Sequence, residues 1–228
     1  MIIAVDGPAG AGKSTVSRLL AKKLGFLYID TGAMYRAITL KAIRQHLDVN
    51  DTAGIIAMAR STLVGLKNEH DGTIRVFLDN SDVTAQIRQP SITQLVSDIA
   101  RIKEVREVML EVQRSLGRDR DSVLDGRDIG TVVFPGADKK FFIDADFDER
   151  VRRRYKELKE SGQDISLKDV QADLRNRDTI DSTRECAPLK KAADAIYVDT
   201  TKMNIEEVVE TLLDYVGDPA TQRPSDPD

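Results

Sequence analysis

Two rhythms of apolar spacing alternate along most of this chain. Ile2 to Val5 is a β-branched run of the kind that fills a buried strand. It stops at Gly7-Pro8-Ala9-Gly10-Ala11-Gly12, and from Lys13 the residues Val16, Leu19, Leu20 and Leu24 recur on one helical face. Phe26-Leu27-Tyr28-Ile29 predicts a second strand ending at Asp30-Thr31-Gly32. Met34, Ala37, Ile38, Ala42 and Ile43 then predict a helix over 33–46. Two strand–turn–helix units in succession build a parallel sheet.

From Ser61 to Arg88 the rhythm shortens. Leu63–Leu66, Thr73–Leu78 and Val83-Thr84 predict short strands separated by polar turns at 68–72 and at Asp79-Asn80. Asp71-Gly72 is a hairpin cue, so these strands form a small antiparallel insertion. Pro90 opens a helical region over 91–116 with a break near Ile102. Ser122–Asp125, Phe141–Asp144 and Ile196–Asp199 predict three further core strands. Helical segments follow near Arg150, over Leu167–Arg184 and over Ile205–Val216. The class is therefore α/β.

The glycine stretch carries chemistry. Gly7 to Ser14 match G-x-x-x-x-G-K-[ST], with a strand before and a helix after. Backbone N–H groups there turn inward into an anion nest, at a helix N-terminus carrying about half a positive charge. Gly7, Pro8, Ala9, Gly10, Ala11, Gly12, Lys13, Ser14 and Thr15 are the expected triphosphate-binding residues. Lys13 reaches the β- and γ-phosphates, and the Ser14 hydroxyl is a Mg²⁺ ligand. Asp125, ending its strand, is expected to hold Mg²⁺ through water. The competing reading is a turn that merely links strand to helix.

A second ligand is expected at the carboxyl edge of the sheet, where open α/β folds bind. Thr31, Tyr35 and Arg36 stand at that edge, and Arg127 and Asp128 occupy a Gly-flanked turn there. Arg150, Arg152, Arg153, Arg154, Arg175, Arg177 and Arg184 crowd two neighbouring helical segments. They either form a solvated, salt-bridged surface or close on phosphates. The net charge of −4 over 228 residues argues against a general nucleic-acid or membrane-surface binder. A lone cysteine, Cys186, excludes an intrachain disulfide framework and suits a reducing cytoplasm; it is read as a small packing residue. No apolar run nears the ~18 residues of a membrane span, and no signal peptide is evident. His46 and His70 lie apart in polar surroundings and are not read as a metal site. The tail over 217–228, rich in Pro and Asp, is expected to be disordered.

Thr31-Gly32-Ala33-Met34-Tyr35-Arg36 and Asp125-Gly126-Arg127-Asp128-Ile129-Gly130 resemble the bacterial cytidylate (CMP/dCMP) kinase family. The likeness continues through Arg177-Asp178, Asp181, Arg184 and Ala187-Pro188-Leu189, and covers nearly all of the chain except the tail. The resemblance implies a three-layer α/β/α P-loop kinase fold on a mostly five-stranded parallel sheet. It implies one domain over 1–216, with its core at about 1–60, 91–152 and 185–216. An NMP-binding insertion would span about 61–90 and a helical lid about 153–184. It further implies ATP as phosphoryl donor, Mg²⁺, and CMP or dCMP as acceptor. Arg36 and Arg127 would hold the acceptor phosphate; Ser97, Arg106 and Asp128 would line the cytosine pocket, with Thr31 nearby. Asp181 would meet the sugar, Arg184 would lie by both phosphate and base, and Arg177 would close from the lid. Arg150 and Arg154 would stand by the ATP phosphates. Lys13, Arg127, Arg177 and Arg184 are thus the expected catalytic groups, in a cytoplasmic monomer.

Other readings keep their own discriminating features. A kinase for UMP, AMP or a phosphate-free acceptor shares the glycine loop, but the arginine-rich second site favours a phosphorylated acceptor. A GTPase switch finds a D-x-x-G string at Asp51-Thr52-Ala53-Gly54, yet there is no Asn-Lys-x-Asp for guanine. An RNA-binding module lacks aromatic residues interleaved among the basic ones.

Overall fold

The computed structural model describes residues 1–69 and 72–217. The predicted elements at His70, at Asp71 and over 218–228 lie outside the described residues. Five parallel strands form the central sheet in the order β2-β6-β1-β7-β8. They are β1 (Ile2–Asp6), β2 (Leu27–Asp30), β6 (Ser122–Gly126), β7 (Lys139–Asp144) and β8 (Ile196–Asp199). Strand β1 is central, and Ile3, Ala4 and Val5 are fully buried, because a parallel sheet is covered on both faces.

Alternation along the strands sends side chains into two cores. Ala4, Ile29 and Leu124 pack beneath α2 (Thr31–Arg44), α3 (Thr52–Arg60), α4 (Pro90–Ala100) and α5 (Lys103–Gly117). Ile3, Val5, Val123 and Phe141 pack on the other face beneath α1 (Lys13–Leu24) and α8 (Ile205–Gly217). The result is a three-layer α/β/α sandwich. A smaller cluster joins Ala9 to α6 (Phe147–Glu160) and α7 (Leu167–Thr183) through Val151, Leu158, Val170 and Leu174.

The antiparallel sheet is present, as β3 (Val64–Asn68), β4 (Ile74–Leu78) and β5 (Ser81–Asp82). Its third strand lies at 81–82 rather than at Val83-Thr84. Val83 is instead a buried core residue, and the Thr84 hydroxyl accepts the Val76 N–H at 2.9 Å. Asn68 ties this sheet to the main one: its side chain accepts from the Tyr28 N–H at 3.1 Å and donates to the Tyr28 carbonyl at 3.0 Å. That pair covers the free edge of β2. Helix α2 starts at Thr31 rather than Ala33, because the Asp30 carboxylate caps it by accepting the Ala33 N–H at 2.7 Å.

The sheet registers bring acidic residues into line at the carboxyl edge. Asp30 pairs with Asp125, Asp6 with Gly126, and Asp144 with Asp199. A row of carboxylates at one edge demands cations, and the site supplies them.

Candidate active site

The loop between β1 and α1 is shaped by close backbone approach. Gly7 has φ 149°, and a Cβ there would lie 1.9 Å from the Ile143 carbonyl oxygen of β7. Gly10 and Gly12 have φ 77° and 88°, the left-handed region that glycine enters without strain. Arg150 braces the loop from outside, donating to the Ala9 carbonyl at 2.9 Å and to Asp178 at 2.6 Å.

Lys13 opens α1, is buried, and donates to the Pro8 carbonyl at 2.6 Å. Its pKa is lowered to about 7, first by burial and then by the nearby Arg127 charge. The Ser14 hydroxyl donates to Asp125 at 2.7 Å, and the Tyr28 hydroxyl donates to the other Asp125 oxygen at 2.8 Å. Burial, with the charge of Asp30, pushes Asp125 up to about 6. Asp6 accepts from the Ile129 and Gly130 N–H groups, each at 2.8 Å, and burial pushes it to about 6 against those bonds.

Beyond Lys13 the side chains form a chain of alternating charge. Arg127 donates to Asp181 at 2.7 Å. Arg184 lies 3.7 Å from Asp181 and 3.5 Å from Asp128, and Asp128 accepts from Arg106 at 2.5 Å. The Arg106 guanidinium sits 5.3 Å above the Tyr35 ring. Burial opposes the charge on Arg127, yet Asp181, Asp125 and Asp178 together outweigh it and raise its pKa. Arg177 is lowered to about 10 by burial and then by Arg127, with Asp173 as a distant partner at 3.9 Å. These groups come from α5, the turn after β6, α7 and the segment after it.

The remaining sequence candidates are placed as follows. Arg36 pairs with Asp30 at 3.1 Å. Ser97 is buried on α4. The Thr31 hydroxyl donates to the Asp125 carbonyl at 2.7 Å, so it is engaged with backbone. Arg154 pairs with Glu157 at 2.8 Å, and its buried Nε has no partner among the described residues. Thus Arg150 flanks the loop and Arg154 pairs along α6, whereas Lys13, Arg127, Asp181, Arg184, Asp128 and Arg106 converge in one cluster.

Sequence reasoning missed three residues here. Asp6 is an acid closing an apolar strand immediately before Gly7, which is the signal that marks it. Tyr28 reads as one more apolar strand position. Gln113 lies two turns beyond Arg106 on the buried face of α5, beside the Tyr35 hydroxyl. Cys186, expected as a packing residue, lines a cavity of about 50 Å³ with Tyr35, Arg106, Gln113 and Asp128.

A strand–glycine loop–helix facing a buried arginine–carboxylate cluster defines a P-loop kinase. Within that class, the family model described as cytidylate kinase matches residues 3–218, and the chain belongs to the cytidylate kinase family. The cytidylate kinase of Caldanaerobacter subterraneus subsp. tengcongensis is 49% identical over 214 residues, covering 94% of this chain and 93% of that one. That of Pelotomaculum thermopropionicum is 50% identical over 215 residues, covering 94% and 95%. A crystal structure of an uncharacterized protein from Eubacterium ventriosum shares the fold, at TM-score 0.51 and 12% identity, over 95% of this chain and 98% of its own.

Proposed function

We propose that this protein transfers the γ-phosphoryl group of ATP to CMP or dCMP, giving CDP or dCDP. The observation that carries this reading is the continuous Arg127–Asp181–Arg184–Asp128–Arg106 chain beside Lys13. Such a chain suits an acceptor with a phosphate at one end and a polar base at the other. An acceptor oxygen bonds to the γ-phosphorus while the bond to the β-bridging oxygen breaks and ADP leaves. No protein nucleophile is required, so catalysis is positioning and charge neutralisation.

In this scheme the loop amides and Lys13 hold the donor phosphates, and Arg36 and Arg127 hold the acceptor phosphate. Guanidinium groups suit the task because they stay charged and grip oxygens bidentately. Asp128 accepts from the exocyclic amino group of cytosine, whereas uracil presents a carbonyl there. A magnesium ion fits the Ser14 hydroxyl and the Asp125 carboxylate. Both are hard oxygen donors, and a cation relieves the buried carboxylate charge. Bound there, it neutralises phosphate charge. Residues of about 61–90 form the acceptor-side insertion, and about 153–184 form a lid whose Arg177 closes over the phosphates and excludes water. The scheme draws every group from one chain and needs no second copy, and it assigns the enzyme to the cytoplasm as a monomer.

The test is a coupled ADP-release assay with Mg-ATP and a panel of CMP, dCMP, UMP, AMP and a phosphate-free alcohol. CMP or dCMP should give the largest kcat/KM. Turnover of another acceptor with none of CMP would sink the proposal.

A further inference from the structure

Asp6 is a buried carboxylate that neither phosphate group contacts in the scheme above. It ends β1 and directly precedes Gly7, yet its side chain crosses to a segment more than a hundred residues away. There it takes the Ile129 and Gly130 N–H groups, one on each oxygen, both at 2.8 Å. Those amides open a single π-helical turn over Ile129–Val133, closed by Val133 N–H to Asp128 and Phe134 N–H to Ile129 bonds. The first amides of any helical turn have no partner within it. Asp6 supplies that partner, and the residues just before the turn are Arg127 and Asp128.

Burying a carboxylate at 4% exposure is costly. An apolar residue would fill the strand end without that cost, but it would leave two buried N–H groups unpaired. A carboxylate gives each amide its own acceptor oxygen.

We infer that Asp6 is a positioning residue that sets the Arg127-Asp128 turn in register with the phosphate-binding loop. The inference rests on the reading of Arg127 and Asp128 as acceptor-holding groups. It makes the two nucleotide sites mechanically one unit, because the residue before the donor loop holds the turn that carries the acceptor groups.

Asp6→Asn tests it. Asparagine keeps the shape but offers one acceptor and turns an N–H₂ toward the second amide. One lost bond to a charged group predicts a rise in KM for CMP of roughly ten- to a hundredfold. KM for ATP should change less than about threefold, since the loop amides are untouched and Asp6 is the weakest of the charges that act on Lys13. The ¹⁵N–¹H resonances of Arg127 to Gly130 should shift, and the Gly130 or Ile129 amide should lose hydrogen-exchange protection. Equal rises in both KM values, or unchanged CMP kinetics in a folded variant, would overturn the inference. If Asp6→Asn does not fold, Asp6→Ser, which keeps one acceptor, is judged by the same split. Through-hydrogen-bond couplings from the Asp6 carboxyl carbon to the two amide nitrogens are read in the wild type, and their absence overturns the contact itself. The resonance readouts need no substrate. A wild-type protein inactive toward CMP therefore sinks the proposed function while leaving the role of Asp6 to be decided separately.

Discussion

In the proposed scheme the donor and acceptor halves of the cleft meet the same problem, an anionic phosphate, with different materials. The donor loop is contiguous, from Gly7 to Ser14, and works through backbone amides whose partial charges need no counterion. The acceptor half gathers full charges from several elements, and each of Arg36, Arg106, Arg127 and Arg184 already has a carboxylate within 3.7 Å. Buried guanidiniums are tolerated only when paired. The acceptor site is therefore part of what holds the fold together, and the donor loop is much less so. Substitutions on the two sides should separate turnover from stability.

The largest effect is expected at Lys13. Its lowered pKa means that the fold gains nothing from the Lys13 charge before nucleotide binds. Lys13→Ala should cut kcat on the order of 10³-fold, the size expected for losing a group that stabilises transition-state charge. Its melting temperature should stay within a few degrees of wild type. A large drop in melting temperature would break the contrast on the donor side.

Asp128→Asn should show the opposite balance. Arg106 and Arg184 both lean on this carboxylate, so removing its charge leaves buried cations short of a partner. Stability should fall by about 3 kcal/mol, as when one member of a buried pair is removed. kcat/KM for CMP should fall about 10²-fold as the acceptor proposed to read the base is lost, while ATP binding, followed by calorimetry, should stay within about threefold. Unchanged thermal stability would show that the acceptor charges are not structural.

The same difference decides how much was legible in the sequence. The donor loop was readable because its geometry is set by neighbours in the chain: an apolar strand, glycines, then a helical face. The break between α4 and α5 at Ile102 was readable for the same local reason. Asp6 could be marked by its place before Gly7, but its role was not readable, because the amides that explain it lie more than a hundred residues on. Tyr28 was hidden because a tyrosine in a strand pattern counts as apolar, and its hydroxyl bond to Asp125 has no trace in spacing. Val83-Thr84 imitated a strand because one residue is buried for core packing and the other bonds an adjacent strand through its side chain. Arginines and carboxylates were visible as a list, but their order of pairing is a property of the fold.

Protonation offers a finer test of the contrast. Lys13, lowered to about 7, is largely neutral at pH 8 in the nucleotide-free protein. A bound triphosphate restores the preference for the charged form, so ATP binding at pH 8 should take up close to one proton. Asp6 and Asp125, raised to about 6, are already ionised at that pH and add nothing. The free phosphates are ionised as well, since their last pKa is about 6. By linkage, uptake by the lysine fades as pH falls below 7, because it then carries its proton before ATP arrives; nearer pH 6 the Asp125 carboxylate and the phosphates titrate instead. Above pH 7 the proton must be collected on binding, and ATP affinity should fall by up to about tenfold per pH unit. Arg127 on the acceptor side is charged throughout, being raised by Asp181, so CMP binding should take up none. Calorimetry in buffers of different ionisation enthalpy reads both quantities directly. Lys13→Ala should abolish the uptake with ATP, and equal uptake by ATP and CMP would mean that a neutral lysine does not distinguish the donor half.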